Sequence, residues 1–357
     1  MTLRSSTTDG STATLNGPGS EMETRYAFEL SGEHPTIPRS EALSLLAIAS
    51  SGYRVVREGE RHLVVEAGDL DLPPSLARLG ARMAMTHRII EVTAEAEPTL
   101  EGIAEAAAEL DLPDRSYRVR AKRLGEAPLA SDEVERKVGS VLWRRGYRAD
   151  LAEPEIEIRA IITADRVFLG REVARSDRTG FRDRRPHKKP FFHPGTMLPK
   201  LARALVNLSG VREGERLLDP FSGTGGFLVE AGLMDVRGIG VDVQEDIVRG
   251  AVSNLEGLDC TLVVGDAMRL PLKDESVEAA VSDAPYGRSA LIQAGSRDEL
   301  LSGSLSELRR VLVPGRRMVF VDDRPVGGAI EEAGFEILEA HQERVHRSLT
   351  RHIFVCR

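Results

Sequence analysis

The sequence predicts an α/β chain, with a doubly wound parallel sheet in its C-terminal half and a smaller α+β region before it. Three observations predict this. From Thr196 onward, short apolar runs alternate with helical patterns, and strands fall near 216–219, 237–242, 261–265, 277–283 and 316–321. Two closing strands follow at roughly 335–340 and 352–356. The run Leu217-Leu-Asp-Pro-Phe-Ser-Gly-Thr-Gly-Gly226 joins the first strand to a helical pattern through three glycines in four positions. Four aspartates, Asp219, Asp242, Asp266 and Asp283, each stand at or just past a strand end. In an open parallel sheet all strand C-termini face one crevice, so these four converge despite intervals of 23, 24 and 17 residues.

The elements follow in order. Residues 1–22, rich in Ser, Thr and Gly and without an apolar core, are expected to form a disordered tail and not a signal peptide. Residues 23–95 make a small α+β unit. Tyr26-Ala-Phe-Glu-Leu30 alternates as a strand, 41–51 is helical, 53–56 and 62–66 are strands, 74–79 is a helix, and 84–92 is another strand. Residues 96–172 make a second unit. Here 100–110 is a helix with alanines on its inner face, and 116–123 is a strand with Arg118, Arg120 and Lys122 on one side. Ser131 opens a helix whose first turn carries Asp132 and Glu133, which suits the helix dipole. Residues 155–161 and 166–171 read as a hairpin. The charged, proline-containing stretch 173–195 is an interdomain connection, and 196–357 is the α/β domain.

Charged residues make up 29% of the chain and aromatics 4%, which implies a soluble protein with an aliphatic core. The net charge of −8 argues against nucleic acid as a partner, but it hides a local basic excess. Between residues 175 and 203 nine Lys or Arg face two Asp. Only six lysines occur in the whole chain, so basic charge is carried by arginine, the better phosphate fork. Cys260 and Cys356 form no metal-ligand spacing, and a reducing, cytoplasmic setting is expected. No apolar run approaches a membrane span. No apolar surface stripe is left over, so a monomer is expected.

The glycine run makes a shelf for a nucleotide-like ligand without saying which one. Asp242, ending Gly238-Ile-Gly-Val-Asp242, stands where ribose hydroxyls are held, or it caps the next helix. Asp266, in Val263-Val-Gly-Asp-Ala267, is placed to take an adenine amino proton, or it is a turn aspartate. The decisive segment is Val281-Ser-Asp-Ala-Pro-Tyr-Gly287. An exocyclic amine on a base is a poor nucleophile because its lone pair is delocalised into the ring. A carboxylate and a carbonyl can hold its two N–H bonds and turn the lone pair toward a methyl donor. An aromatic face adds roughly 1–3 kcal/mol of stacking. Asp283, a carbonyl at Ala284 or Pro285, and Tyr286 supply that set with no call for a metal. A dinucleotide-binding loop, the main rival reading of the shelf, has no use for Asp283-Ala-Pro-Tyr286.

On these residues the block 219–287 resembles the S-adenosylmethionine-dependent amino-methyltransferases, whose fourth motif reads Asp/Asn-Pro-Pro-aromatic. Within that class it more closely resembles the archaeal tRNA guanine-10 N2-methyltransferases. Phe28-Glu-Leu-Ser-Gly-Glu-His-Pro35, His193-Pro-Gly-Thr-Met197, Leu201-Ala-Arg-Ala-Leu-Val-Asn207 and Tyr286-Gly-Arg-Ser289 carry the closer match. The second unit resembles a THUMP RNA-binding domain preceded by a ferredoxin-like domain, through Tyr117-Arg-Val-Arg120, Glu135-Arg-Lys-Val-Gly139 and Ala149-Asp-Leu-Ala-Glu-Pro-Glu-Ile156. The resemblance implies a Rossmann-like methyltransferase domain, S-adenosyl-L-methionine as cofactor and tRNA as partner. It assigns Asp219, Phe221, Ser222, Gly223 and Gly225 to the methionine end of the cofactor, Asp242 to its ribose, and Asp266 with Ala267 to its adenine. Asp283, Pro285 and Tyr286 go to the target guanine, as catalytic residues. Ala284 departs from the family's usual proline, which leaves the carbonyls in place and predicts a less rigid turn.

The basic run 182–189 is expected to touch phosphate, while Arg118, Arg120, Lys122 and Arg123 divide between RNA contact and a solvated face. Phe191 and Phe192 are expected to pack between domains, and His187 and His193 receive no catalytic role. Two alternatives stay open: the same chemistry on another substrate (adenine in DNA, ribosomal guanine, protein glutamine), or a non-catalytic RNA-binding protein that kept the fold. Ala284 favours the second.

Overall fold

The computed structural model describes residues 24–68, 70, 75–285 and 296–357. The N-terminal region runs β1 (Thr24–Leu30), α1 (Ile37–Ala49), β2 (Tyr53–Gly59), β3 (His62–Ala67), α2 (Ser75–Arg82), β4 (Thr86–Ala96), α3 (Leu100–Glu109), β5 (Tyr117–Arg123), α4 (Ser131–Arg144), β6 (Ile156–Ile162) and β7 (Val167–Arg175). These strands form one seven-stranded sheet in the order β2-β3-β1-β4-β7-β6-β5. The two small units of the sequence reading therefore share a sheet. The bridge is β4, which runs to Ala96, past the 84–92 expected. One edge pairs with β1 and the other with β7 from Arg88↔Arg175 to Ala96↔Val167. Thr93 and Glu95 give that extension a polar look, but they face solvent while Ala96 turns inward. Parallel β5 and β6 are joined across α4, whose buried Val134, Val138 and Leu142 lie one helical turn apart.

A short connection follows. β7 carries the chain to Arg175, and Asp177 caps α5 (Arg178–Asp183) by accepting from the Thr179 and Gly180 N–H groups. The second region runs α6 (Pro199–Leu208), β8 (Arg216–Asp219), α7 (Gly226–Gly232), β9 (Arg237–Asp242), α8 (Glu245–Val252), β10 (Cys260–Val264), β11 (Ala279–Asp283), α9 (Arg297–Val311), β12 (Met318–Asp322), α10 (Gly327–Glu332), β13 (Ile337–His346) and β14 (Leu349–Cys356). Its sheet has the order β10-β9-β8-β11-β12-β14-β13, with the first five strands parallel and β14 antiparallel between β12 and β13. Chain direction across the sheet reverses between β8 and β11, which opens a crevice at their C-terminal ends.

The regions are fused by a shared core. Ile37, Ala84 and Met85 of the first pack in one apolar cluster with Leu201, Leu205 and Leu208 of α6. Glu41, fully buried on α1, lies at the polar centre of this seam. Its carboxylate accepts from the N–H groups of Ala84 (2.9 Å), Met85 (2.6 Å) and Thr86 (3.1 Å) and from Asn207 Nδ2 (2.8 Å). Burial pushes its pKa up, and the four N–H donors oppose that shift. Nearby, His34 Nε2 meets the Gln342 carbonyl at 3.0 Å and Lys200 pairs with Glu33 at 2.7 Å. Residues 33–41 and 200–207, far apart in sequence, thus meet at one interdomain seam.

Candidate active site

The four strand-end aspartates do converge. Asp219, Asp242, Asp266 and Asp283 all line one cavity of about 750 Å³ at the C-terminal edge of the parallel strands. Phe221, Ser222, Gly223, Ala267 and Pro285 line it too. Gly225 stands back from that wall. It caps α7 at φ +77° with the Leu255 side chain beneath it, so its work is to turn the loop into the helix. Tyr286 lies outside the described residues, as does the 286–289 segment.

The shelf is held by the chain itself. Ser222 donates its N–H to the Val241 carbonyl at 2.9 Å, and Gly223 sits at φ +48° with its N–H on Asp242 Oδ2 at 2.9 Å. The other Asp242 oxygen accepts from Gln244 N–H at 2.9 Å. Asp242 therefore braces the glycine loop as well as facing the cavity. Asp219 is 1% exposed and accepts from Phe221 N–H at 3.2 Å. Burial holds its carboxyl well above the usual carboxylate range, and the charges of Asp242 and Asp283 push the same way. Asp266 is exposed at the rim, where its carboxylate accepts from Met268 N–H at 2.9 Å.

Asp283 ends β11, opposite Val321 on β12. Ala284 is buried and donates its N–H to the Val321 carbonyl at 3.0 Å, which extends the β11–β12 ladder by one bond. A proline there has no N–H to give. The departure from the usual motif adds this bond to the ladder, and the turn continues past Pro285 outside the described residues.

Sequence reasoning missed the far wall. Glu343, Arg344, Val345, His346, Leu349 and Arg351 of the β13–β14 hairpin line the cavity. Arg351 is 6% exposed, donates to Glu343 at 3.0 Å and faces Asp283 Oδ2 at 3.8 Å. The stretch 341–352 is so charged that its alternation was hidden. The 193–198 segment lines the cavity as well, although only the family resemblance had marked it. Phe191 does not pack between domains: it lies against Gly250 of α8, with its backbone clamped by Asn254. In the basic run, Arg184 is bound to buried Glu230 through two hydrogen bonds, whereas Arg182, Arg185 and Lys188 are exposed. Arg118 is committed to Glu157, and Arg120 pairs with Glu135 at 3.4 Å.

A doubly wound sheet with this strand order, a glycine shelf and a strand-end aspartate facing it define a methyltransferase-class enzyme domain. A family model described as an RMKL-like methyltransferase domain matches residues 186–353, and a THUMP domain model matches 97–172. A tRNA (guanine(10)-N2)-dimethyltransferase of Methanothermobacter thermautotrophicus is 38% identical, covering 91% of this chain and 97% of the relative. Its counterpart in Methanocaldococcus jannaschii is 31% identical over 92% of this chain and 98% of the relative. The solved structure of TrmN from Thermus thermophilus shares the fold, with a TM-score of 0.54 at 24% identity, covering 93% of this chain and 99% of that one. The chain belongs to the family of the tRNA (guanine(10)-N2)-dimethyltransferases.

Proposed function

We propose that this enzyme methylates the exocyclic N2 amine of a guanosine in tRNA, once or twice, with position 10 as the target. The observation that carries this reading is the placement of Asp283. Its carboxylate sits at the end of β11, on the wall of the cavity, beside the carbonyl-bearing turn Ala284-Pro285 and on the same edge as the glycine shelf. The relatives' activity and the THUMP match support tRNA as the substrate.

The residues present fit S-adenosyl-L-methionine. The Ser222 hydroxyl is buried at the shelf with no hydrogen-bond partner among the described residues. A side chain at Gly223 would begin in the space the shelf leaves open. Asp219, Phe221, Ser222 and Gly223 would hold the methionine end, Asp242 the ribose hydroxyls, and Asp266 with Ala267 the adenine. When bound, the cofactor supplies an electrophilic methyl group on sulfur.

The chain's own residues prepare the nucleophile. A target base must leave its stack to reach Asp283 on this cavity wall. Asp283 accepts one amine N–H and a turn carbonyl accepts the other, which fixes the direction of the nitrogen lone pair. Pro285 gives that turn its fixed φ, and Tyr286, which follows it, is assigned to stack on the base. Asp283 then takes up or relays the proton that the methylated amine loses. The exposed Arg182, Arg185 and Lys188 follow the THUMP region along the chain, where tRNA phosphates would pass. The enzyme works as a monomer in a reducing cytoplasm; both cysteines are free thiols.

Replacing Asp283 tests the assignment. Asp283→Ala is expected to cut turnover by roughly 10²- to 10³-fold, on the order of a lost amine-orienting group, while S-adenosylhomocysteine binds within about threefold of wild type by calorimetry. Parallel loss of binding would place Asp283 in the cofactor site instead.

A further inference from the structure

Arg351 joins two carboxylates on the cavity wall. It is nearly buried, donates to Glu343 Oε2 at 3.0 Å and stands 3.8 Å from Asp283 Oδ2. Glu343 and Arg351 are directly opposed across the β13–β14 ladder, so the backbone register fixes the pair. Both carboxylates keep part of their surface open, Asp283 at 18% and Glu343 at 27%, whereas Arg351 is at 7%. The arginine is the hidden clamp, and the two acids are the faces it presents.

We infer that Glu343, positioned by Arg351, reads the ring N1–H of the target base and so makes the site selective for guanine. This rests on the guanine-N2 reading above and deepens it. Among the bases that carry an exocyclic amine, guanine alone has that amine beside a ring N–H donor. Adenine and cytosine carry a ring nitrogen lone pair beside theirs. Two carboxylates offer acceptors only. Asp283 on the amine and Glu343 on the adjacent N1–H match the guanine edge. An adenine or cytosine would set its lone pair against the Glu343 oxygens. The single guanidinium keeps the two acids near each other at reduced cost in mutual repulsion.

The probe is a tRNA transcript carrying 2-aminopurine in place of the target guanosine. That base retains the 2-amino group but has an N1 lone pair where guanine has N1–H. Wild type is expected to favour guanine over 2-aminopurine in kcat/KM by on the order of 10- to 100-fold, the discrimination typical of one paired base edge. Glu343→Gln can turn its amide to donate to a bare N1, so its preference is expected to fall at least fivefold. Arg351→Lys leaves a cation that cannot fork between the acids, and it is expected to lose preference in the same direction. S-adenosylhomocysteine affinity and thermal midpoint, measured alongside, check that each variant is folded. A wild type that uses 2-aminopurine as well as guanine overturns the inference without any variant. A Glu343→Gln protein that loses rate equally on both bases, with its preference intact, overturns it too. Failure of wild type to methylate guanine at all would instead overturn the guanine reading itself.

Discussion

Glu41→Gln probes how firmly the RNA-binding region is fused to the catalytic domain. Glu41 Oε1 accepts from Ala84 N–H and Asn207 Nδ2, and Oε2 from Met85 and Thr86 N–H, with the residue fully buried. Glutamine keeps one oxygen and turns an NH₂ toward the other two donors. If the amide faces Ala84 and Asn207, the Asn207 loss is softened because Nδ2 also donates to the Arg82 carbonyl at 2.9 Å. That orientation leaves one main-chain N–H unpaired and opposed by a donor. The cost is about 1–3 kcal/mol for the stranded group and a similar loss of charge-assisted bonding, or roughly 2–6 kcal/mol in all. Urea denaturation of the full chain, followed by circular dichroism, reads this as a lower midpoint. Because Glu41 ties α1 and the start of β4 to α6, the variant is also expected to unfold in two separated steps. A stability within about 0.5 kcal/mol of wild type, the usual size of a surface substitution, would refute the reasoning.

Asp242→Ala removes the acceptor for Gly223 and Gln244 N–H as well as the proposed ribose contact. It is expected to weaken S-adenosylhomocysteine binding roughly 10- to 100-fold, since hydrogen bonds to a charged group are worth about 1.5–3 kcal/mol; unaltered affinity by calorimetry would contradict the bracing role. His34 Nδ1 accepts from Thr36 and Ile37 N–H, and burial pushes its pKa below the usual histidine value. Below about pH 6.5 the unfolded chain then takes up a proton that the folded chain resists, so stability falls as pH drops. His34→Asn should flatten that slope between pH 7.5 and 5.5 in urea midpoints; an unchanged slope would assign it to other groups.

Most of the α/β domain was legible because its signals are local. Short apolar runs gave five strands within a few residues, and the aspartates at their ends followed from the sheet's direction alone. The far wall was not legible, because β13 and β14 carry Glu343, Arg344, His346, Arg351 and His352 in a stretch whose polarity reads as loop. Partial burial of those charges depends on pairing with each other and with Asp283, a tertiary fact. The single N-terminal sheet was missed for a similar reason. Continuity from β4 into β7 joins residues about 80 apart, and Thr93 and Glu95 disguise the extension. Ala284 shows the reverse case. The motif departure was visible, but its effect depended on the Val321 carbonyl across the sheet.

The central claim is that a guanine amine is the methyl acceptor. Incubating the protein with methyl-labelled S-adenosylmethionine and tRNA transcripts, then digesting to nucleosides, tests it most directly. Label is predicted in N2-methylguanosine and N2,N2-dimethylguanosine, and it should vanish when guanosine 10 is replaced. Label in an adenosine derivative, or in no nucleoside, would contradict the account.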